Sequence, residues 1–146
     1  MADIQRQATA RWSGDLLRGS GKTSTGSGVL HEVPYSVPSR FESGKGTNPE
    51  ELIAAAHASC FSMMLAKLLG DAKKTVGDIR TKATLTLSNA SGGWKISKIH
   101  LDTEVNGAGL DAETLNRTAA QAKEQCPISV LLKPGLESLT LDVRLK

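Results

Sequence analysis

Two cysteines are the residues of this 146-residue chain with the clearest capacity for chemistry, Cys60 and Cys126. A thiolate is a nucleophile, and two thiols can close to a disulfide when their Cα atoms come within about 7 Å. In an oxidising compartment such a pair is a structural crosslink, whereas in a reducing cytoplasm it is more often redox-active or simply buried. The sequence leaves a redox pair and two inert core thiols as the alternatives.

A reactive thiol in apolar surroundings needs a nearby cation, because burial raises its pKa. Arg40, Lys45 and Lys67 are the candidate cations. Glu50 is not needed by a helix cap, and its carboxylate can hold Arg40 through a bidentate pair. Along an unbroken helix Glu50 and Cys60 are roughly 15 Å apart. We therefore hypothesise that Arg40 and Glu50 of one chain serve Cys60 of a second chain.

His57 precedes Cys60 by about one helical turn, so a Cys–His dyad or a pair of metal ligands is conceivable. The chain has no C-x-x-C or H-x-x-x-H spacing that supports zinc, and His31 and His100 have no evident partners. We expect His57 to be structural or to line a site. We expect no metal and no other cofactor.

The segment around Cys60 predicts a long helix. Asn48 is a good N-cap, Glu51 stands where a capping box places an acidic residue, and Gly70 is a natural C′ residue after Leu69. The middle of the segment is apolar or small on nearly every face, which predicts burial all round, in a core or between subunits. A monomer of this size has little room around a helix about 30 Å long. We therefore expect a dimer with this helix at its centre.

Short strands and turns are predicted before this helix. Residues Gln7–Val37 are rich in Gly, Ser and Thr and predict short strands with tight turns. Ser39–Thr47 is a polar, Gly-containing segment that predicts a loop. Arg40 lies in that loop, which can fold over a site.

A β-hairpin is predicted after the helix. Apolar residues alternate with polar ones over Lys82–Leu87 and again over Trp94–Val105, and Asn89–Gly93 makes the hairpin loop. The alternation changes phase around Ser97 and Lys98, which indicates a β-bulge.

A second helix and a final strand complete the pattern. The helix starts at Asp111, and Leu115, Ala119, Ala122 and Cys126 share one of its faces. Pro127 either ends this helix or opens a short new one. Leu139–Leu145 alternates as a strand. The order of elements predicts an α+β fold with antiparallel sheet.

Composition excludes several classes of protein. The formal net charge is +3, no long basic run occurs, and aromatic residues make up only 3% of the chain, so nucleic-acid or membrane binding gains little support. Met1–Arg11 has no apolar core of a secretory signal. The longest uncharged stretch, Leu52–Ala66, is too short to span a bilayer. We expect one domain over residues 1–146, in the cytoplasm.

Four motifs closely resemble the osmotically inducible protein C family, whose sister branch is the organic hydroperoxide resistance proteins. The motifs are Arg40-Phe41-Glu42, Gly46-Thr47-Asn48-Pro49-Glu50-Glu51-Leu52-Ile53, Ala55-Ala56-His57-Ala58-Ser59-Cys60-Phe61-Ser62-Met63 and Gln125-Cys126-Pro127-Ile128-Ser129. The likeness covers almost the whole chain. A histidine at position 57 and an arginine just ahead of the helix resemble the osmotically inducible branch.

This resemblance implies a fold and an activity. Family members are intertwined homodimers in which antiparallel sheets wrap long central helices, with active sites at the dimer interface. They are thiol peroxidases that reduce organic hydroperoxides to alcohols in oxidative-stress defence. By the matching positions, Cys60 is the peroxidatic cysteine and Cys126 the resolving cysteine, with Arg40 and Glu50 as the activating pair. The Cys60 sulfenic acid condenses with Cys126, and a dithiol, of lipoyl type in the sister branch, reduces the disulfide.

An apolar lining of the site would favour bulky alkyl or lipid peroxides over hydrogen peroxide. The candidate lining residues are His57, Phe61, Met63, Met64 and Ile128. Two other functions are alternatives. A thiol–disulfide oxidoreductase usually has close C-x-x-C spacing, which is absent here, and an apolar ligand carrier would need neither thiol.

Overall fold

The computed structural model describes residues 2–146, which form two compact units with their boundary between Leu52 and Ile53. The single domain expected over the whole chain stays a prediction. The N-terminal unit contains a three-stranded antiparallel sheet in the order β1-β2-β3 and then a short helix α1. These elements are β1 (Ala8–Ser13), β2 (Ser20–Thr25), β3 (Val33–Tyr35) and α1 (Val37–Phe41).

Helix α1 corrects the start of the loop predicted over Ser39–Thr47, whereas residues 42–47 contain no helix or strand, as predicted. The Ser36 hydroxyl accepts a hydrogen bond from the Ser39 N–H, and the Ser39 hydroxyl accepts one from the Ser36 N–H, at 3.3 and 2.8 Å. This reciprocal cap starts a helical turn, and Pro38 in the first turn suits it because its fixed φ is helical. Arg40 therefore lies on a helical turn rather than in a loop.

The long helix α2 (Pro49–Asp71) begins in the N-terminal unit and continues into the C-terminal unit. Asn48 caps it as predicted, since its side-chain oxygen accepts a hydrogen bond from the Glu51 N–H at 2.8 Å. The helix ends later than predicted, because Gly70 is still helical. The left-handed residue is Lys73, with φ 57°, and the Lys74 N–H donates to the Leu69 carbonyl across it.

The C-terminal unit is α+β, as predicted, with a mixed sheet in the order β4-β5-β6. Its further elements are β4 (Asp78–Ala90), β5 (Gly93–Asn106), α3 (Ala112–Gln125), α4 (Pro127–Leu132), a 3₁₀ turn (Lys133–Gly135) and β6 (Ser138–Leu145). Strands β4 and β5 form the predicted hairpin, with a tighter turn than Asn89–Gly93. Strand β6 runs parallel to β5, which corrects the expected antiparallel sheet. The chain crosses through α3 and α4 between these strands, and such a crossover joins parallel neighbours.

The predicted β-bulge is present in β5. Thr86 pairs with Lys98 and Leu87 pairs with Ile96, so Ser97 is the extra residue. Ser97 is buried, and its hydroxyl lies 2.6 Å from that of Ser88. The bulge reverses the phase of the strand, so that alternate residues from Ile99 onward face the core.

The core of the C-terminal unit is built from one face of α2, the inner face of β5 and the predicted face of α3. The buried face of α2 has the i, i+4 spacing of His57, Phe61, Leu65 and Leu69. From α3 come Leu115, Ala119, Ala122 and, at its end, Cys126, all of them buried as the spacing predicted.

The core covers only one face of α2, so burial of its other faces between subunits stays a prediction. In the single chain Met63 is 74% exposed although it is a large apolar residue. By length and composition alone this 23-residue helix could cross a membrane, and the core helix of a soluble protein meets the same test. An apolar helix that a single chain covers on one side only is also typical of a helix that packs against a second subunit.

Replacing Leu101 with alanine tests the core. Leu101 in β5 is 0% exposed, so the substitution leaves a cavity, and we expect the free energy of unfolding to fall by about 2–5 kcal/mol. The matched control is Leu17→Ala, since Leu17 is 78% exposed and its loss should change stability by less than about 0.5 kcal/mol. Urea titrations followed by circular dichroism measure both. Equal losses in the two variants would contradict the assignment of Leu101 to the core.

Candidate active site

Cys60 and Cys126 lie together in the C-terminal unit. Cys60 is on α2 and partly exposed, whereas Cys126 is fully buried at the junction of α3 and α4. Pro127 opens α4, the second of the two alternatives for that residue. Both thiols are free, and Cys60 packs against the core cluster that contains Cys126. Two residues far apart in sequence are thus brought close together.

The surroundings of Cys60 stabilise its neutral form. Burial is the largest influence and raises the pKa of the Cys60 thiol, and the neighbouring Cys126 thiol raises it further. The backbone N–H of Ile128 lowers the pKa of Cys60 without overcoming them. The resulting pKa lies above the usual range of a cysteine. A nucleophilic Cys60 thiolate at neutral pH therefore needs an added positive charge.

Arg40 and Glu50 form a forked ion pair in the N-terminal unit. The Arg40 Nη2 lies 2.6 Å from Glu50 Oε1, and its Nε lies 3.1 and 3.2 Å from the two carboxylate oxygens. The guanidinium also stacks 5.1 Å from the ring centre of Phe41. The Arg40 side chain remains 38% exposed, whereas that of Glu50 is 13% exposed. The pair therefore holds the Arg40 guanidinium in a fixed pose, with part of its surface open to a ligand or partner.

The cap of α2 fixes this pair. Asn48 caps the helix with its side-chain oxygen, and its side-chain N–H donates to the Ser39 carbonyl on α1 at 3.1 Å. One residue thus ties the start of α2, where Glu50 lies, to the turn that carries Arg40. The sequence reasoning used Asn48 only as a cap and missed this second bond.

An open, apolar cavity of about 590 Å³ lies beside Cys60. Three of the predicted lining residues belong to it, namely Met63, Met64 and Ile128. Its complete lining is Ala56, Ser59, Cys60, Met63, Met64, Lys67, Pro127 and Ile128. Lys67, one of the candidate cations, is at this cavity and forms an ion pair with Asp71 at 2.6 Å.

His57 and Phe61 do not line this cavity, which corrects their assignment as lining residues. Both are 0% exposed, because their i, i+4 spacing with Leu65 puts them on the core side of α2. The His57 Nε2 lies 2.7 Å from the Ser129 hydroxyl, and its Nδ1 has no hydrogen-bond partner among the described residues. Burial lowers the pKa of His57 and favours the neutral ring. A Cys–His dyad is therefore not formed.

Ser129 is the residue near the cysteines that sequence reasoning missed. It is buried in α4 and shares its hydrogen bond with a histidine of α2. Its only sequence signal is its place in the motif that follows Cys126. Within residues 2–146 no cluster of three or more His, Cys, Asp or Glu side chains could hold a metal ion.

Comparison with known proteins identifies the relatives of this chain. The family model described as OsmC-like protein matches residues 42–138. The chain is 48% identical to the peroxiredoxin OsmC of Escherichia coli (strain K12) over 98% of both chains. It is 30% identical to the organic hydroperoxide resistance protein OhrB of Bacillus subtilis (strain 168) over 75% of this chain and 79% of that one.

Solved structures give the same result. The crystal structure of OhrB of Bacillus subtilis matches with a TM-score of 0.71 at 26% identity over 98% of both chains. An OsmC-like protein of Mycoplasma pneumoniae matches with a TM-score of 0.77 over 99% of both chains, and at 16% identity that likeness concerns the fold alone. With the family match over most of its length and close relatives in sequence, this chain belongs to the OsmC-like protein family.

Proposed function

We propose that this chain is a cysteine-based peroxidase of oxidative-stress defence that reduces organic hydroperoxides to alcohols, with Cys60 as its nucleophile. The names of its relatives, a peroxiredoxin and organic hydroperoxide resistance proteins, support the activity. The observation that carries the proposal is the closeness of two free thiols beside an apolar cavity. Cys60 is open to that cavity, and Cys126 is buried behind it.

The reaction has three steps. The Cys60 thiolate attacks the distal oxygen of the hydroperoxide, the O–O bond breaks, and the alkoxide takes a proton and leaves as the alcohol. The Cys126 thiol then attacks the Cys60 sulfenic acid, the S–S bond forms, and the hydroxyl leaves as water. A dithiol, of lipoyl type in our proposal, reduces the disulfide by exchange.

The difference in exposure between the thiols supports their division of labour. Cys60 meets the cavity, so an incoming peroxide reaches it first. Cys126 is fully buried, so a peroxide in the cavity does not reach it and its reaction partner is the oxidised Cys60. The cavity is lined mainly by apolar side chains, among them Met63, Met64 and Ile128. Such a lining binds an alkyl chain and leaves hydrogen peroxide without apolar contacts.

Arg40 is the proposed activating cation, and Glu50 holds it. The raised pKa of Cys60 creates the need for a positive charge, and the forked pair leaves part of the guanidinium open to supply it. We propose that the protein works as a homodimer in which the apolar faces of α2 meet. Glu50 and Cys60 are roughly 15 Å apart along one helix, and this distance is the reason to assign each Arg40–Glu50 pair to the Cys60 of the partner chain.

We further propose that the protein is cytoplasmic, needs no cofactor and binds neither nucleic acid nor membranes.

Peroxidase turnover tests the activity. With a dithiol as reductant, we expect the wild type to turn over tert-butyl or cumene hydroperoxide faster than hydrogen peroxide, because only the organic peroxides fill the apolar cavity. Cys60→Ser should be inactive, since it lacks the nucleophile. Cys126→Ser should lose turnover after one oxidation and accumulate over-oxidised Cys60 in mass spectra. Full turnover by Cys60→Ser would contradict the assignment and favour an apolar ligand carrier.

The pKa of the Cys60 thiol tests the role of Arg40. In a Cys126→Ser background we expect Arg40→Ala to raise that pKa, because a nearby cation stabilises the thiolate. At pH values below the wild-type pKa, the thiolate fraction should fall about 10- to 1000-fold, the range for loss of an adjacent opposite charge. The rate of iodoacetamide alkylation as a function of pH measures it. Lys45→Ala, which removes another of the candidate cations, is the matched control and should leave the pH profile of alkylation unchanged. An unchanged profile in Arg40→Ala would refute the role of Arg40.

Heterodimers test which chain supplies the pair. With Cys60→Ser and Arg40→Ala on the same chain, sharing between chains impairs both sites, so we expect turnover no higher than that of the Arg40→Ala homodimer. With the two substitutions on different chains, one site keeps both groups and about half the turnover remains. Tandem dimers with a linker fix the composition of each species. The reverse pattern, with activity only when both substitutions share a chain, would mean that each chain activates its own Cys60.

A further inference from the structure

A buried hydrogen bond joins the two elements that carry the cysteines. The His57 Nε2 on α2 lies 2.7 Å from the Ser129 hydroxyl on α4, and both side chains are excluded from solvent. His57 stands three residues before Cys60, and Ser129 stands three residues after Cys126. The bond therefore lies one helical turn from each cysteine.

Filling the core does not require the polar pair of His57 and Ser129. Burying two polar side chains costs free energy that their hydrogen bond only offsets, and apolar residues of the same size would fill the space without that cost. A hydrogen bond differs from apolar packing in having a preferred distance and direction. Its effect is to fix where α4 lies against α2.

The same junction borders the cavity, since Ile128, next to Ser129 in α4, lines it together with Cys60. Helix α4 begins directly after Cys126, so its position against α2 decides how closely Cys126 approaches Cys60. That position depends on a helix of only six residues that contributes one fully buried side chain, Ser129.

We propose that the His57–Ser129 hydrogen bond is a positioning clamp that holds α4 against α2, so that Cys126 reaches the Cys60 sulfenic acid before a second peroxide does. The clamp rests on the proposed peroxidase function and sets the rate of its disulfide-forming step. In that step the Cys126 sulfur bonds to the Cys60 sulfur, the S–O bond breaks and water leaves. In the competing step a second hydroperoxide oxidises the sulfenic acid to a sulfinic acid and is itself reduced to the alcohol.

The test separates the two oxidation steps in single turnovers with cumene hydroperoxide. Rapid acid quenching and mass spectrometry of Cys60 and Cys126 count thiol, disulfide and sulfinic acid with time. We expect Ser129→Ala to keep the rate of peroxide consumption and to slow disulfide formation about 10- to 100-fold, the range for a misplaced reacting group. Sulfinic acid should then accumulate at a peroxide concentration lower by the same factor.

Two further variants distinguish a clamp from a merely structural bond. His57→Leu combined with Ser129→Ala removes both polar partners, so no unpaired group is left and the thermal midpoint should recover relative to Ser129→Ala. Disulfide formation should nevertheless stay slow, because apolar packing does not fix α4. His57→Gln keeps a polar nitrogen near the position of Nε2 and should restore the rate towards that of the wild type.

Ser62→Ala is the matched control. It removes another hydroxyl bond of α2, to Thr81 on β4 at 2.8 Å, and should leave disulfide formation unchanged. Wild-type disulfide rates in both Ser129→Ala and the double variant would overturn the clamp and leave the peroxidase intact, as would equal slowing in Ser62→Ala. A wild type whose Cys60 is not oxidised by the peroxide would instead refute the proposed function, and the clamp with it.

Discussion

The closeness of the Cys60 and Cys126 thiols is the constraint on which the rest of the C-terminal unit depends. It requires a helix that buries one face and keeps the flank with Cys60 open, and a second helix that ends at a buried Cys126. The β-bulge at Ser97 belongs to the same requirement, because it turns the inner face of β5 towards these helices. Packing brings the two sulfurs together, and the same packing removes them from water.

That removal from water has an electrostatic cost. Burial and the neighbouring thiol raise the pKa of Cys60, so proximity alone makes a pair of unreactive thiols. The Arg40–Glu50 pair has the opposite character, since it is a fixed charge with part of its surface open. In our proposal, reactivity arises only when the two features meet across a dimer. A free chain would then keep its thiols protected from unwanted oxidation.

The spacing of residues along the chain predicts features that lie within a single helix or strand. The shared face of Leu115 and Cys126, the cap at Asn48 and the phase change at Ser97 were all readable because each is a period or a cap. The parallel pairing of β6 was not readable, since a strand pattern carries no record of its neighbour's direction. Likewise, His57 was assigned to the site by its distance from Cys60 along the helix. Its partner Ser129 lies on a different element, and only tertiary structure shows which way the ring points.

The crossover that makes β6 parallel also has a consequence for folding order. Strands β4 and β5 can pair as soon as their hairpin closes, whereas β6 can pair with β5 only by closing a loop that contains two helices, which costs more chain entropy. Until then the second edge of β5 presents unpaired backbone groups beside a row of apolar side chains, the kind of edge that templates aggregation. Strand β6 therefore protects this edge of the sheet late in folding. Until Ser138–Leu145 pairs with β5, partly folded chains can aggregate through the open edge.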